Sequence, residues 1–158
     1  MPNIENFKGS FTEMARPNRF RVSVDGISKL EFMGKGAQLP GSTIGVMDVP
    51  YQGRVIKMPG DRVFNDWTVT IYNDVDMSAR RELEAWIELL NGNESNIGYT
   101  VKREAIVEQL GRDGSVIATF KLHGIIPLDI SAIDLAFDSN DTPSEVTASF
   151  AYDWHEMI

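Results

Sequence analysis

Strict alternation of apolar and polar residues recurs along this chain and constrains its fold more than any other feature. Trp67, Val69 and Ile71 alternate with Thr68, Thr70 and Tyr72. The pattern repeats at Phe20, Val22 and Val24, at Val116, Ala118, Phe120 and Leu122, and at Val146, Ala148, Phe150, Tyr152 and Trp154. A period of two places successive side chains on opposite faces of a strand. Both faces of residues 66–73 are β-prone and neither is strongly charged, which predicts a strand covered on both sides. Asp25-Gly26 predicts a hairpin turn with a return strand over residues 29–35, carrying Leu30 and Phe32 on one face. Gly111-Arg112-Asp113-Gly114 predicts a second hairpin, joining strands over 104–110 and 115–124. Residues 127–134 read as a connection or short strand, and 137–143 as a loop.

One stretch has the helical period. Leu83, Trp86, Ile87 and Leu90 fall at i, i+3, i+4 and i+7, giving an apolar stripe on a helix over about residues 76–90. Asp76 or Ser78 can cap its start, Asn91-Gly92 can stop it, and Arg80 and Arg81 can pair with Glu84. Trp67, Leu83, Trp86, Ile87 and Leu90 are the expected core where helix meets sheet.

Residues 42–62 are punctuated by Pro50, Gly53, Pro59 and Gly60. Within them, 46–49 and 54–58 read as the two strands of an exposed hairpin. So long an excursion with few large core residues is unusual in a compact domain and commonly carries function. Residues 1–18 read as an irregular arm closed by Pro17, with no basic region leading into an apolar run as a secretory signal would have.

The chain has 158 residues, enough for one domain with a proper core. Its net charge of −8 argues against tight binding to nucleic acid, which normally calls for a basic surface. An acidic surface is compatible with DNA passing nearby without sticking. There are no cysteines, so disulfides and thiolate chemistry are excluded. No apolar run approaches the roughly 18 residues of a membrane helix, so membrane insertion is not expected.

Chemistry-bearing patterns are sparse. The two histidines, His123 and His155, have no Glu or His at metalloprotease spacing. Asn73-Asp74-Val75-Asp76 lacks the rest of a calcium loop and reads as turn and cap. Gly34-Lys35-Gly36 lacks the rest of a phosphate-loop fingerprint. Asp134, Asp138 and Asp141 spread through a loop, where solvation is the default. Arg16, Arg19 and Arg21 around Phe20 form a small basic, aromatic patch, better suited to acidic loops of a neighbouring subunit than to nucleic acid. No catalytic residue, cofactor or metal site is expected.

The stretch Gly53-Arg54-Val55-Ile56-Lys57-Met58-Pro59-Gly60-Asp61-Arg62-Val63-Phe64-Asn65-Asp66-Trp67-Thr68-Val69-Thr70-Ile71-Tyr72-Asn73-Asp74 carries a family resemblance. Ala15-Arg16-Pro17-Asn18-Arg19-Phe20 and Leu39-Pro40-Gly41 precede it, and a helix with a buried Trp follows. In these features the chain resembles the tail tube proteins of contractile-tailed bacteriophages, over roughly residues 15–154.

The resemblance implies a mainly β (α+β) fold: a single domain, an antiparallel β-sandwich or partial barrel with one flanking helix. It implies that sheets join across subunits into hexameric rings, which stack into a tube for phage DNA inside a contracting sheath. The implied partners are further copies of the chain, the tail sheath protein, and baseplate and tail terminator proteins. Val49, Pro50, Tyr51, Gln52, Gly53, Arg54 and Lys57 are then candidate contacts between rings or subunits, with Arg16 and Arg19. Thr147, Ser149 and Asp153 are candidates to face the bore. The alternative within the family is the inner tube of a phage-derived contractile injection system or a type VI-like secretion tube. A relative forming a single, unstacked ring is a further variant. The rival from another class is a monomeric β-rich binding module or enzyme with an acidic pocket, using residues 42–62 as its binding loop.

Overall fold

The fold is taken from a computed structural model, which describes residues 3–10, 18–27, 34–91, 102–138 and 142–158. Among the described residues there are nine strands: β1 (Phe20–Val24), β2 (Gly34–Ala37), β3 (Ser42–Tyr51), β4 (Arg54–Phe64), β5 (Trp67–Tyr72), β6 (Arg103–Leu110), β7 (Val116–Ile130), β8 (Glu145–Ala151) and β9 (Trp154–Met157). The described residues also form the helices α1 (Ile4–Ser10) and α2 (Ser78–Asn91).

The body is a single antiparallel path in the order β1-β6-β7-β8-β5-β2, with β9 also paired to β7. Strand β7 joins its two halves. Its first half pairs with β6 and with β9, from Phe120↔Met157 to His123↔Trp154. Its second half pairs with β8, from Ile126↔Ala151 to Ile130↔Ala148. Gly124 sits at the handover with φ of 67°, a left-handed conformation that glycine adopts without penalty. Strands that switch sheets at such corners let a sandwich bend around its core. Among the described residues the end strands β1 and β2 approach one another without pairing, so the path they bound is not closed into a barrel.

The alternation read from the sequence decides which face is inside. Val22, Val24, Trp67, Val69, Ile71, Ala105, Val107, Leu122, Ile125, Val146, Ala148 and Phe150 form one buried cluster, joined by Ala79, Leu83 and Trp86 of α2. Trp67 and Trp86 both pack against Phe150, at centroid distances of 5.5 and 6.0 Å. The Arg103 guanidinium lies over the Trp86 ring, 4.4 Å from its centroid.

Two sequence expectations need correction, both in α2. The buried stripe of α2 runs Ala79–Leu83–Trp86, at i, i+4 and i+7; Ile87 and Leu90 are half-buried on its flank. The cap comes from Asp74, not from Asp76 or from Ser78: its carboxylate accepts hydrogen bonds from the Ser78 amide and hydroxyl, both at 3.0 Å. The Asp25-Gly26 turn closes a bridge between Val24 and Ile27. Residues 29–33 of the expected return strand lie outside the described residues, and β2 pairs with β5, not with β1. Of residues 127–134, read as a connection or short strand, 127–130 are strand and continue β7, and 131–134 follow as a connection.

Candidate functional site: an assembly surface

Strands β3 and β4 leave the body as a two-stranded ribbon of their own. Each is longer than expected, 10 and 11 residues, and they pair from Ser42↔Phe64 to Tyr51↔Arg54. Every residue of β3 is exposed, and in β4 only Gly60 and Phe64 are half-buried. The turn at the tip is Gln52-Gly53, with φ of 45° and 75°. Positive φ at both central residues is the twist that a two-residue hairpin demands, and Gly53 adopts it freely.

The ribbon is not a polar flap. Ile44, Val46, Met47, Val49, Tyr51, Val55, Ile56, Met58 and Val63 are all between 40% and 63% exposed. An isolated two-stranded hairpin is marginal in water, and contiguous exposed apolar surface marks an interaction site. Register sorts the distal side chains into two faces. Met47↔Met58, Val49↔Ile56 and Tyr51↔Arg54 share one face; Val46↔Pro59, Asp48↔Lys57 and Pro50↔Val55 share the other. The first is the more apolar.

The base of the ribbon is gripped by aromatic residues of the body. Phe64 meets Tyr152 at 5.8 Å and His155 edge-on at 5.0 Å. The Tyr152 hydroxyl donates to the Gly41 carbonyl at 3.2 Å, and the Trp67 indole N–H donates to the Gln38 carbonyl at 2.7 Å. Burial raises the Tyr152 pKa and lowers that of His155, in each case by disfavouring the charged form. Sequence reading missed this anchor. Tyr152 was visible as an alternating strand residue, but nothing local ties Phe64 to a strand some ninety positions later.

The structure separates the other candidate residues. Val49, Pro50, Tyr51, Gln52, Gly53, Arg54 and Lys57 all lie at the distal end of the ribbon. Arg19 instead lines a recess of about 240 Å³ between β1 and β2, with Phe20, Ala37, Leu39, Val107 and Gln109. Arg16 lies outside the described residues. Arg21 pairs within the body, 2.6 Å from Glu108 on β6. Thr147 and Ser149 share the outward face of β8, beside Thr70 and Thr68 of β5, and the Thr70 and Thr147 hydroxyls are 3.4 Å apart. Asp153 is apart from them in the β8–β9 turn, paired with Lys102 at 2.9 Å.

His123 and His155 serve different surroundings. His123 stacks on Trp154 at 4.0 Å, with Nδ1 3.3 Å from Glu104 and Nε2 3.0 Å from Glu156. Lys121 holds the Glu104 carboxyl below the usual carboxylate range. His155 is buried. Among the described residues no group of three His, Cys, Asp or Glu is placed to hold a metal ion, and no helix is long and apolar enough to cross a membrane.

A family model for phage tail tube proteins matches residues 2–158. Tail tube protein gp19 of Enterobacteria phage T4 is 31% identical over 150 residues, spanning 91% of this chain and 92% of the relative. The tail tube protein of Serratia phage KSP90 is 24% identical over 168 residues, spanning 96% and 95%. Among solved structures, the tube-terminating cap of the anti-feeding prophage superposes with a TM-score of 0.75 at 14% identity, over 94% of this chain and 93% of that one. The sheath–tube complex of an extracellular contractile injection system gives 0.71 at 16% identity, over 100% and 99%. At these identities the structural likeness speaks for the fold, while the sequence relatives speak for the family. The chain belongs to the phage tail tube protein family.

Proposed function

We propose that this protein is a non-enzymatic structural subunit that closes into hexameric rings, which stack into the inner tube of a contractile phage tail. The exposed apolar ribbon of β3 and β4 is the observation that carries the reading. It extends from a finished core, and burial against a neighbouring copy removes its apolar face from water. Among the described residues β1 and β2 end the sheet path, which supports closure through sheet pairing, because a ring gives each edge a partner and leaves none for aggregation.

In this reading, residues 42–62 reach the next ring, and the sheath, baseplate and tail terminator proteins are the other partners. Phage DNA crosses the bore without tight binding, in keeping with the net charge of −8. Thr147 and Ser149 are the proposed bore-facing residues on β8. The tube resides in the virion tail after assembly in the host cytoplasm.

The fold likeness to a contractile injection system tube favours a second reading, the inner tube of such a device. Capsid and terminase genes beside this one support the phage; toxin genes without capsid genes support the device. Negative-stain electron microscopy over a concentration series tests the assembly reading common to both. Stacked rings or hollow tubes are expected. A strictly monomeric protein, even with baseplates added, would overturn it.

A further inference from the structure

We infer that Met47 and Met58 form an oxidation-sensitive pair whose conversion to sulfoxides blocks assembly of the free subunit, and which assembly in turn shields. The inference rests on reading the ribbon as an assembly surface, and it adds a chemical modification site to that reading.

The chain has no cysteine and seven methionines, so methionine is its oxidisable sulfur. Met47 and Met58 face each other across the ladder, and they are 54% and 48% exposed. Directly opposed side chains in an antiparallel pair sit about 4.5–5.5 Å apart at Cβ, so the two thioethers form one patch. That patch lies on the more apolar face, next to Val49↔Ile56. The Asp48↔Lys57 pair points to the opposite side. In the free subunit both sulfurs are open to a soluble oxidant.

Hydrogen peroxide transfers one oxygen atom to each thioether. The sulfur gives up two electrons and gains an S=O bond, and the peroxide leaves as water. The product is a polar, chiral side chain in place of a flexible apolar one. A sulfoxide oxygen buried in a dry contact without a donor is costly, so the oxidised face resists docking. Methionine thus serves this surface as an adaptable apolar filler and makes it vulnerable before it is covered.

The test treats free subunits with hydrogen peroxide, locates sulfoxides by peptide mass spectrometry, and follows assembly by light scattering and electron microscopy. Wild-type protein is expected to lose assembly as Met47 and Met58 become oxidised, and to regain it after treatment with methionine sulfoxide reductases A and B. The M47L/M58L variant is expected to assemble with or without peroxide. A second measurement needs no variant: Met47 and Met58 should oxidise more slowly in assembled protein than in free subunits. Assembly that survives complete oxidation of both residues would overturn the inference, as would equal loss in wild type and M47L/M58L, or equal oxidation rates in free and assembled protein. Untreated protein that never assembles would overturn the assembly reading itself, and this inference with it.

Discussion

Phe64, the last residue of β4, meets the ring of His155 on β9 edge-on, with centroids 5.0 Å apart and planes at 74°. This contact ties the base of the ribbon to the C-terminal strand. Together with the hydrogen bonds from Tyr152 to Gly41 and from Trp67 to Gln38, it fixes where the ribbon leaves the body. Phe64→Ala should cost about 1–3 kcal/mol, less than the roughly 3–5 kcal/mol of a fully buried Phe, because Phe64 is half-buried. Trypsin should also cut the ribbon faster at Arg54, Lys57 and Arg62. Unchanged melting and unchanged cleavage would show that Phe64 does not anchor it.

His155 makes acid stability titratable. Burial, with a smaller contribution from Arg62, lowers its pKa below the ordinary 6.5, so the folded protein holds the neutral ring. Between the two values the unfolded chain binds a proton that the folded chain does not, so stability falls as pH drops below 6.5. Its contribution is fully present above the ordinary value and fully lost below the lowered one. His155→Phe should flatten this part of the stability curve. It also removes a buried Nδ1 that has no hydrogen-bond partner among the described residues, a gain of about 1 kcal/mol at neutral pH. Chemical denaturation at a series of pH values checks both effects; parallel curves for the two proteins would count against them.

Trp86 joins helix to sheet, with its indole fully buried, packed against Phe150 and covered by Arg103. Trp86→Ala should destabilise the subunit by about 3–5 kcal/mol. Equilibrium unfolding of the isolated subunit measures this directly, and a loss well under 1 kcal/mol would contradict the packing described.

Deleting residues 50–53 should separate assembly from folding. The tip contributes nothing to the core cluster, so the melting temperature should stay close to that of the full chain. Stacked tubes should be lost, since the distal apolar face can no longer reach a neighbour. Tubes of normal length from the deleted protein would remove the ribbon from ring stacking.

Sequence periodicity determined a good deal. Alternation at Val146, Ala148 and Phe150 assigned the buried face of β8, because a strand places every second side chain on one side. Strand β5, expected to be covered on both sides, buries Trp67, Val69 and Ile71 and leaves Thr68, Thr70 and Tyr72 half-buried. The helical period located α2, and proline and glycine spacing marked out the ribbon. Turn chemistry also gave two strand pairs, β6 with β7 and β3 with β4. The pairs between segments distant in the chain were decided by tertiary structure. Strand β1 pairs with β6, β8 with β5 and β2 with β5, since pairing energy is gained between segments distant in the chain. The cap of α2 moved to Asp74 because capping depends on where the backbone turns, and that turn includes Met77 at φ 53°. The grip of Tyr152 and His155 on the ribbon's base arises only when the ends of β4 and β9 are brought together, which no local pattern encodes. Local periodicity reports what each segment buries; which segments meet is decided by the three-dimensional path of the chain.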